Sequence, residues 1–205
     1  MSEDIISKLT DSFKRFPGIG PRQARRFVYY LLNQNSGVVD NLANDIAALR
    51  QGVGQCSDCS SFFLKTDDSS PLCRLCRDEN RSPSSLMVLE KDLDLEIVKK
   101  VDHYKGRFFI LGGLVPILEE APERCLRIRE LIARIKRDHD KLKEVIIALA
   151  ANPEGDNTTE YLKRRLTKEL ASGTKLTVLG RGLSTGTDLE YSDLETVRHA
   201  LSSRS

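Results

Sequence analysis

Four cysteines in two pairs constrain this 205-residue chain more than any other feature. Cys56 and Cys59 form one pair, Cys73 and Cys76 form the other, and thirteen residues lie between them. Two thiolates at this spacing can reach one ion from a single turn, and two such turns complete the four-sulfur shell of a closed structural zinc site. The segment between the pairs has little core material beyond Phe62–Leu64. We therefore predict one structural Zn²⁺ that replaces the missing core.

Other uses of the four cysteines are unligated buried thiols or a redox pair. A redox pair needs one such motif at the start of a helix, and a catalytic zinc usually recruits a histidine or carboxylate beside an open position. The histidines, His103, His139 and His199, all lie far along the sequence. With five cysteines and no signal peptide, the reducing cytoplasm is the expected location. No apolar run approaches the roughly 18 residues that span a bilayer, so we expect no membrane association.

A glycine hairpin lies between two helical patterns near the N-terminus. Apolar residues recur at helical spacing over 3–16 and 22–32, and the segment between them reads FPGIGP. Such a turn aims backbone N–H groups at the start of the second helix, where an anion binds well. No acidic residue lies between Ser12 and Val39. The candidate contacts to DNA phosphate, independent of base sequence, are Gly18, Gly20, Arg22, Arg25 and Arg26. The alternative is a tight helical turn with a solvated basic face.

From Leu86 onward, short apolar runs alternate with helical patterns. The alternation is typical of βαβ units and predicts a mainly parallel, buried sheet. The strand candidates are Leu86–Glu90, Phe108–Gly112, Val145–Ala150 and Leu176–Gly180, and the helix candidates are Asp94–Val101, Arg124–Lys141 and Thr158–Leu170.

Three acidic residues follow strands of this predicted sheet. Glu90 ends the first strand, while Glu154 and Asp156 lie just beyond the third, at the same edge of a parallel sheet. Carboxylates there could hold Mg²⁺ for phosphoryl transfer. The arrangement resembles a Toprim domain, although the usual Asp-x-Asp element is Glu154-Gly155-Asp156 and no obvious nucleophile accompanies it. The alternatives are helix-cap acids, a weak metal site or a surface for a basic partner.

The C-terminal segment carries Gly180, Gly182 and Gly186. A nucleotide-binding P-loop needs a lysine and a hydroxyl residue after its last glycine, and Thr187-Asp188 stands here instead. An ATPase at these glycines is thus a weaker alternative. We predict a turn, an exposed strand with Leu189 and Tyr191 on one face, and a final helix.

The order of these parts resembles the RecR family of bacterial recombination mediators along essentially the whole chain. The expected class is multidomain α+β: a helix-hairpin-helix module (1–53), a four-cysteine zinc finger (54–78), a Toprim-like α/β domain (79–174) and a C-terminal strand-helix segment (175–205). The acidic loop departs from the family pattern, because NPEGD stands where NPTxEGE is usual.

The resemblance implies a non-enzymatic, DNA-binding clamp of recombinational DNA repair, associated with the nucleoid. It would act with RecO and RecF to help load RecA on gapped DNA. It would assemble as a homotetrameric ring through the N-terminal helices and the C-terminal segment. Gly18, Gly20, Arg22 and Arg26 match positions that would face DNA, and the acidic loop would lie near RecO. The alternative from another class is a Mg²⁺-dependent, Toprim-type phosphoryl-transfer enzyme that uses Glu90, Glu154 and Asp156.

Overall fold

The computed structural model describes residues 4–65, 69–101, 103–119, 122, 126–180, 183, 186, 188–191 and 194–202. Gly182 and Thr187 of the glycine segment lie outside the described residues, as does the start of the helix expected at Arg124–Lys141. The chain forms two compact units, Met1–Val53 and Gly54–Ser205.

Three helices build the first unit: α1 (Ile5–Phe13), α2 (Pro21–Leu32) and α3 (Ser36–Gly52). Asp4 caps α1 by accepting from the Ile6 amide, and Asn35 caps α3 by accepting from the Val38 amide at 3.0 Å. The ring of Phe13 lies edge-on to that of Phe27, with 5.7 Å between centroids. This contact ties α1 to α2 across the hairpin.

A four-stranded parallel sheet organises the second unit. Its strands are β3 (Ser82–Leu89), β4 (Gly106–Ile110), β5 (Glu144–Ala148) and β6 (Lys175–Val178), in the order β4-β3-β5-β6. A separate two-stranded sheet pairs β1 (Val53–Gln55) with β2 (Phe62–Leu64). The remaining helices are α4 (Arg74–Arg77), α5 (Asp92–Val98), α6 (Ile128–Arg137), α7 (Pro153–Leu166) and α8 (Leu194–Ser202).

Side chains alternate between the two faces of the parallel sheet. Leu86 and Val88 of β3 belong to one hydrophobic core, to which α6 and α7 contribute. Met87 and Leu89 belong to the other core, to which α5 contributes. Leu75 of α4 packs against this second core and also against the cysteines. Because both faces are covered, strands β3, β4 and β5 are apolar over Leu86–Leu89, Phe108–Ile110 and Val145–Ala148, as a buried parallel sheet requires. The predicted helical N-terminal module and mainly parallel α/β sheet are confirmed.

One local prediction differs from the structure, and one expected domain boundary lies next to a strand. The exposed strand expected around Leu189 and Tyr191 is wrong, because Leu189–Tyr191 forms a 3₁₀ helix. Lys175–Val178 is an integral strand of the parallel sheet, so the expected domain boundary between residues 174 and 175 falls just before a strand of that sheet. Among the described residues, no helix has the length and apolar character needed to cross a bilayer.

Candidate metal centre and nucleic-acid interface

The four predicted cysteines come together in the second unit. One sulfur from each of Cys56, Cys59, Cys73 and Cys76 lies within 4.8 Å of the others. The sulfurs of Cys59 and Cys73 are 3.6 Å apart, and tetrahedral Zn–S bonds of about 2.3 Å place neighbouring sulfurs about 3.8 Å apart. In the described part of the chain, no other group of three or more His, Cys, Asp or Glu side chains could hold a metal ion. The donor set therefore fits one closed zinc site.

Hydrogen bonds from the backbone and from a serine reach the sulfurs of the cluster. The Cys73 amide donates to the Cys56 sulfur at 3.3 Å, and the Ser61 hydroxyl lies 3.0 Å from the Cys59 sulfur. The hydrogen bond with Cys59 is the main cause that lowers the pKa of Cys56, whereas the hydrogen bond with Cys56 is the main cause that raises the pKa of Cys59 and of Cys76. The opposite directions arise because neighbouring sulfurs share hydrogen bonds, as four thiols in close contact must; the thiolate is the form that binds a metal.

The first cysteine turn is fixed to the α/β domain through the residue inside it. The Asp58 carboxylate forms ion pairs with Arg134 and Arg137 of α6. Arg134 also donates to the Asp58 carbonyl at 3.0 Å and to Asp138 at 2.7 Å. In addition, the Ile110 amide at the end of β4 donates to the Cys59 carbonyl at 2.8 Å. The candidate metal centre therefore shares a polar interior with the parallel sheet and α6.

Sequence reasoning missed this network, although one signal was present. Arg134 is a cation among Leu131, Ile132 and Ile135 on the buried side of α6. A buried charge needs a partner, so its position could have indicated an acidic residue nearby. Nothing in the sequence identifies Asp58 as that residue.

The glycine hairpin has the backbone geometry that an anion requires. The Ile19 amide donates to the Phe16 carbonyl at 3.1 Å, which closes a turn around Gly18. Gly18 has φ +75°, a left-handed conformation that favours glycine. Gly20 precedes α2 as its N-cap and offers no side chain to the first-turn amides, and Pro21 occupies the first helical position. These amides are left open to an external acceptor.

Three arginines follow the hairpin on α2. Arg22, Arg25 and Arg26 are exposed, and no described carboxylate lies within 4 Å of their guanidinium groups. They line a cleft of about 810 Å³ between α1 and α2, together with Lys14. Lys14 pairs with Asp11 at 2.8 Å and lowers the pKa of that carboxyl by its hydrogen bond. The predicted contacts Gly18, Gly20, Arg22, Arg25 and Arg26 thus belong to one locally basic hairpin and helix.

The three predicted acids lie at the carboxyl end of adjacent parallel strands, but they do not form a metal-binding group. Glu90 follows β3 and pairs with Lys91 at 3.4 Å. Glu154 and Asp156 occupy the first turn of α7, after β5. The described residues offer no grouping of these three carboxylates that could hold an ion.

The geometry at the start of α7 explains which residue types flank Glu154 and Asp156. Asn152 is the N-cap and accepts from the Gly155 amide at 2.7 Å, and Pro153 is the first helical residue. A Cβ added to Gly155 would lie 1.9 Å from the Ala150 carbonyl oxygen. Only glycine therefore fits between Glu154 and Asp156.

Comparison with known proteins gives matches to both units. Residues 6–50 match the family described as RecR, helix-hairpin-helix, and residues 84–180 match the Toprim domain. The chain is similar to "Recombination protein RecR" of Herpetosiphon aurantiacus, with 37% identity over 204 residues that cover 100% of this chain and 95% of the relative. It is also similar to the protein of the same description from Oenococcus oeni, with 35% identity over 98% of this chain and 96% of the relative. The corresponding protein of Prochlorococcus marinus is 38% identical over 96% and 98%.

Proposed function

Because the chain belongs to the RecR family of recombination proteins, we propose that it is a non-enzymatic DNA-binding clamp of recombinational DNA repair. In this proposal it acts with RecO and RecF to help load RecA on gapped DNA, in the cytoplasm at the nucleoid. The observation that carries the DNA contact is the hairpin, where a glycine N-cap leaves backbone amides open beside three arginines that have no carboxylate partner among the described residues.

The hairpin is suited to phosphate and not to base edges. Backbone amides at a helix start and flanking arginines are the groups that bind phosphate oxygens. Such contacts carry no base code, so binding extends over all sequences and weakens with salt. Gly18 and Gly20 set the backbone, and Arg22, Arg25 and Arg26 supply the charge.

One structural Zn²⁺ is the proposed cofactor. Cys56, Cys59, Cys73 and Cys76 would hold it, and the four sulfurs would fill its coordination shell, so the ion would stabilise the fold and leave no position for a substrate. The ion pairs of Asp58 support a structural role, because they join the cysteine turn to α6.

Assembly into a homotetrameric ring is the proposed oligomeric state. Helix α3 has 17 residues and none of them is buried. Val38, Leu42, Ile46 and Leu49 are exposed on it at spacings of four, four and three residues, which places them along one side of a helix. An exposed apolar stripe of this kind marks an interaction surface, and a second copy of the chain is its proposed occupant. Light scattering should give a four-subunit mass that falls on Ile46→Asp, whereas a monomeric wild type would contradict the ring.

The acids at the start of α7 are the proposed contact for RecO. Glu154 is exposed and lies in the first helical turn with Asp156. A basic partner surface would complement these carboxylates, and such complementarity mainly fixes partner choice and association rate. The proposal gives Glu90, Glu154 and Asp156 no catalytic role.

Binding of labelled DNA tests the central proposal. An Arg22→Ala/Arg26→Ala variant should bind oligonucleotides of unrelated sequence more weakly and to a similar degree. Two lost phosphate contacts should also reduce the slope of log affinity against log salt by about two. Lys8→Ala/Arg50→Ala removes two exposed cations outside the cleft and serves as the control. Equal affinity of the Arg22/Arg26 variant and the wild type at moderate salt would refute the proposed interface.

A further inference from the structure

Two aromatic side chains lie beside the arginines of α2. Tyr29 and Tyr30 are 50% and 61% exposed, and both line the cleft between α1 and α2. No described residue forms a hydrogen bond with either hydroxyl group. Half or more of each aromatic side chain is therefore open to a ligand in this basic cleft.

The tyrosines continue the surface on which the phosphate contacts begin. Arg22, Arg26 and Tyr29 follow one another at spacings of four and three residues, so they lie on the same side of α2. Gly20 and Tyr30 are ten positions apart, a distance of about 15 Å along a helix. A strand with duplex-like base stacking would place about four nucleotides along that length, at about 3.4 Å each.

The cleft combines the two features that bind single strands. Among the described residues, its lining carries four cations and one carboxylate, Asp11, which is already paired with Lys14. Proteins that bind unpaired strands join a positive groove for the backbone with aromatic side chains on which bases stack. In a duplex the bases are already stacked and paired, so they cannot lie on a protein side chain without being extruded.

We propose that this cleft binds one unpaired DNA strand, with phosphates on the α2 arginines and bases stacked on Tyr29 and Tyr30. The inference rests on the proposed DNA-binding function and adds the strand type that the site selects. Single-strand affinity then depends on the tyrosines, whereas duplex affinity depends on the arginines and the hairpin amides alone.

Paired binding measurements on single-stranded and duplex oligonucleotides test this inference. Tyr29→Ala/Tyr30→Ala should weaken single-strand binding about tenfold or more, since aromatic stacking is lost, and should leave duplex binding unchanged. Tyr29→Phe/Tyr30→Phe keeps the rings and should retain the wild-type affinity. Phe62→Ala removes a similarly exposed ring from the second unit and should have no effect. A strand containing 2-aminopurine should show fluorescence quenching with the wild type and the phenylalanine variant but not with the alanine variant.

Three results would overturn the inference. Equal loss of single-strand and duplex binding in the alanine variant would mean that the tyrosines support the whole interface. Unchanged single-strand binding and quenching would mean that no base stacks there. A smaller mass in light scattering would mean that a second copy of the chain covers the tyrosines. Failure of the Arg22→Ala/Arg26→Ala variant to weaken either form would instead refute the proposed DNA contact, so the two failures are distinguishable.

Discussion

Loss of the Asp58 carboxylate should destabilise the second unit, because it leaves the buried Arg134 cation with only one of its two carboxylate partners, Asp138. Arg134 is only 2% exposed in its side chain, and Asp58 only 7%. In Asp58→Ala the guanidinium keeps Asp138 and the residue-58 carbonyl as acceptors. No other carboxylate replaces that of Asp58 among the described partners of Arg134. One terminal nitrogen of the Arg134 guanidinium already has no hydrogen-bond partner among the described residues.

The magnitude follows from the burial of each group. Removing one member of a buried ion pair costs about 3–5 kcal/mol, because the other charge remains in a low-dielectric interior. The two remaining acceptors place Asp58→Ala near the lower end, at about 3 kcal/mol. Arg137 is 54% exposed, so Arg137→Ala should cost only about 1 kcal/mol or less.

Urea unfolding of the zinc-loaded protein, followed by circular dichroism, measures these differences. Arg134→Met removes the buried charge itself, so Asp58→Ala/Arg134→Met should be more stable than the sum of the single changes predicts. Amide exchange at Ile110 gives a local measurement, because this amide donates to the Cys59 carbonyl and should exchange faster in Asp58→Ala. A loss below about 1 kcal/mol for Asp58→Ala, the range of exposed pairs, or strict additivity in the double variant, would refute the reasoning.

Three further changes test other parts of the structure. Gly155→Ala places a Cβ 1.9 Å from the Ala150 carbonyl oxygen, so the thermal midpoint should fall sharply, and an unchanged midpoint would contradict the tight helix start. Burial opposes ionisation of Asp138, but hydrogen bonds from Arg137 and Arg134 outweigh it and lower its pKa. The stability advantage of wild type over Asp138→Asn should therefore be present above the ordinary value of 3.8 and disappear as pH falls through the lowered pKa. Cys56→Ala should lose zinc and with it solubility or folding; a soluble, zinc-free variant that assembles normally would disprove the structural role.

The cysteine spacing and the strands could be predicted because their signals are local. A pair of cysteines with two residues between them reports on one turn, and an apolar run such as Val145–Ala150 reports on a strand buried on both faces. The structure begins and ends these strands within a few residues of the predicted positions; β5, for example, is Glu144–Ala148. The mainly parallel sheet could be predicted because strand and helix patterns alternate along the sequence.

The contacts that sequence reasoning missed join distant segments. Asp58 and Arg134 are 76 residues apart, and a single sequence holds no information on which acidic residue meets which buried cation. The strand Phe62–Leu64 pairs with Val53–Gln55, upstream of the first cysteine. This pairing could not be predicted, because the sequence of a three-residue strand does not specify its neighbour. Leu189–Tyr191 illustrates the same limit, since three residues with alternating apolar side chains fit a 3₁₀ turn as well as a strand.

The Glu154-Gly155-Asp156 sequence follows from the geometry of a helix start. Asn152 caps the first turn, and the Ala150 carbonyl excludes any side chain at residue 155. The flanking carboxylates lie at the positive end of the helix dipole, where negative charge is stabilising. Each residue of this segment thus has a structural reason that involves no metal ion. The same geometry presents Glu154 to solvent at the carboxyl end of the sheet, which is the condition that a basic partner surface needs. A Glu154→Gln variant should therefore keep the fold and associate more slowly with the proposed partner RecO, and an unchanged association rate at low salt would exclude this contact.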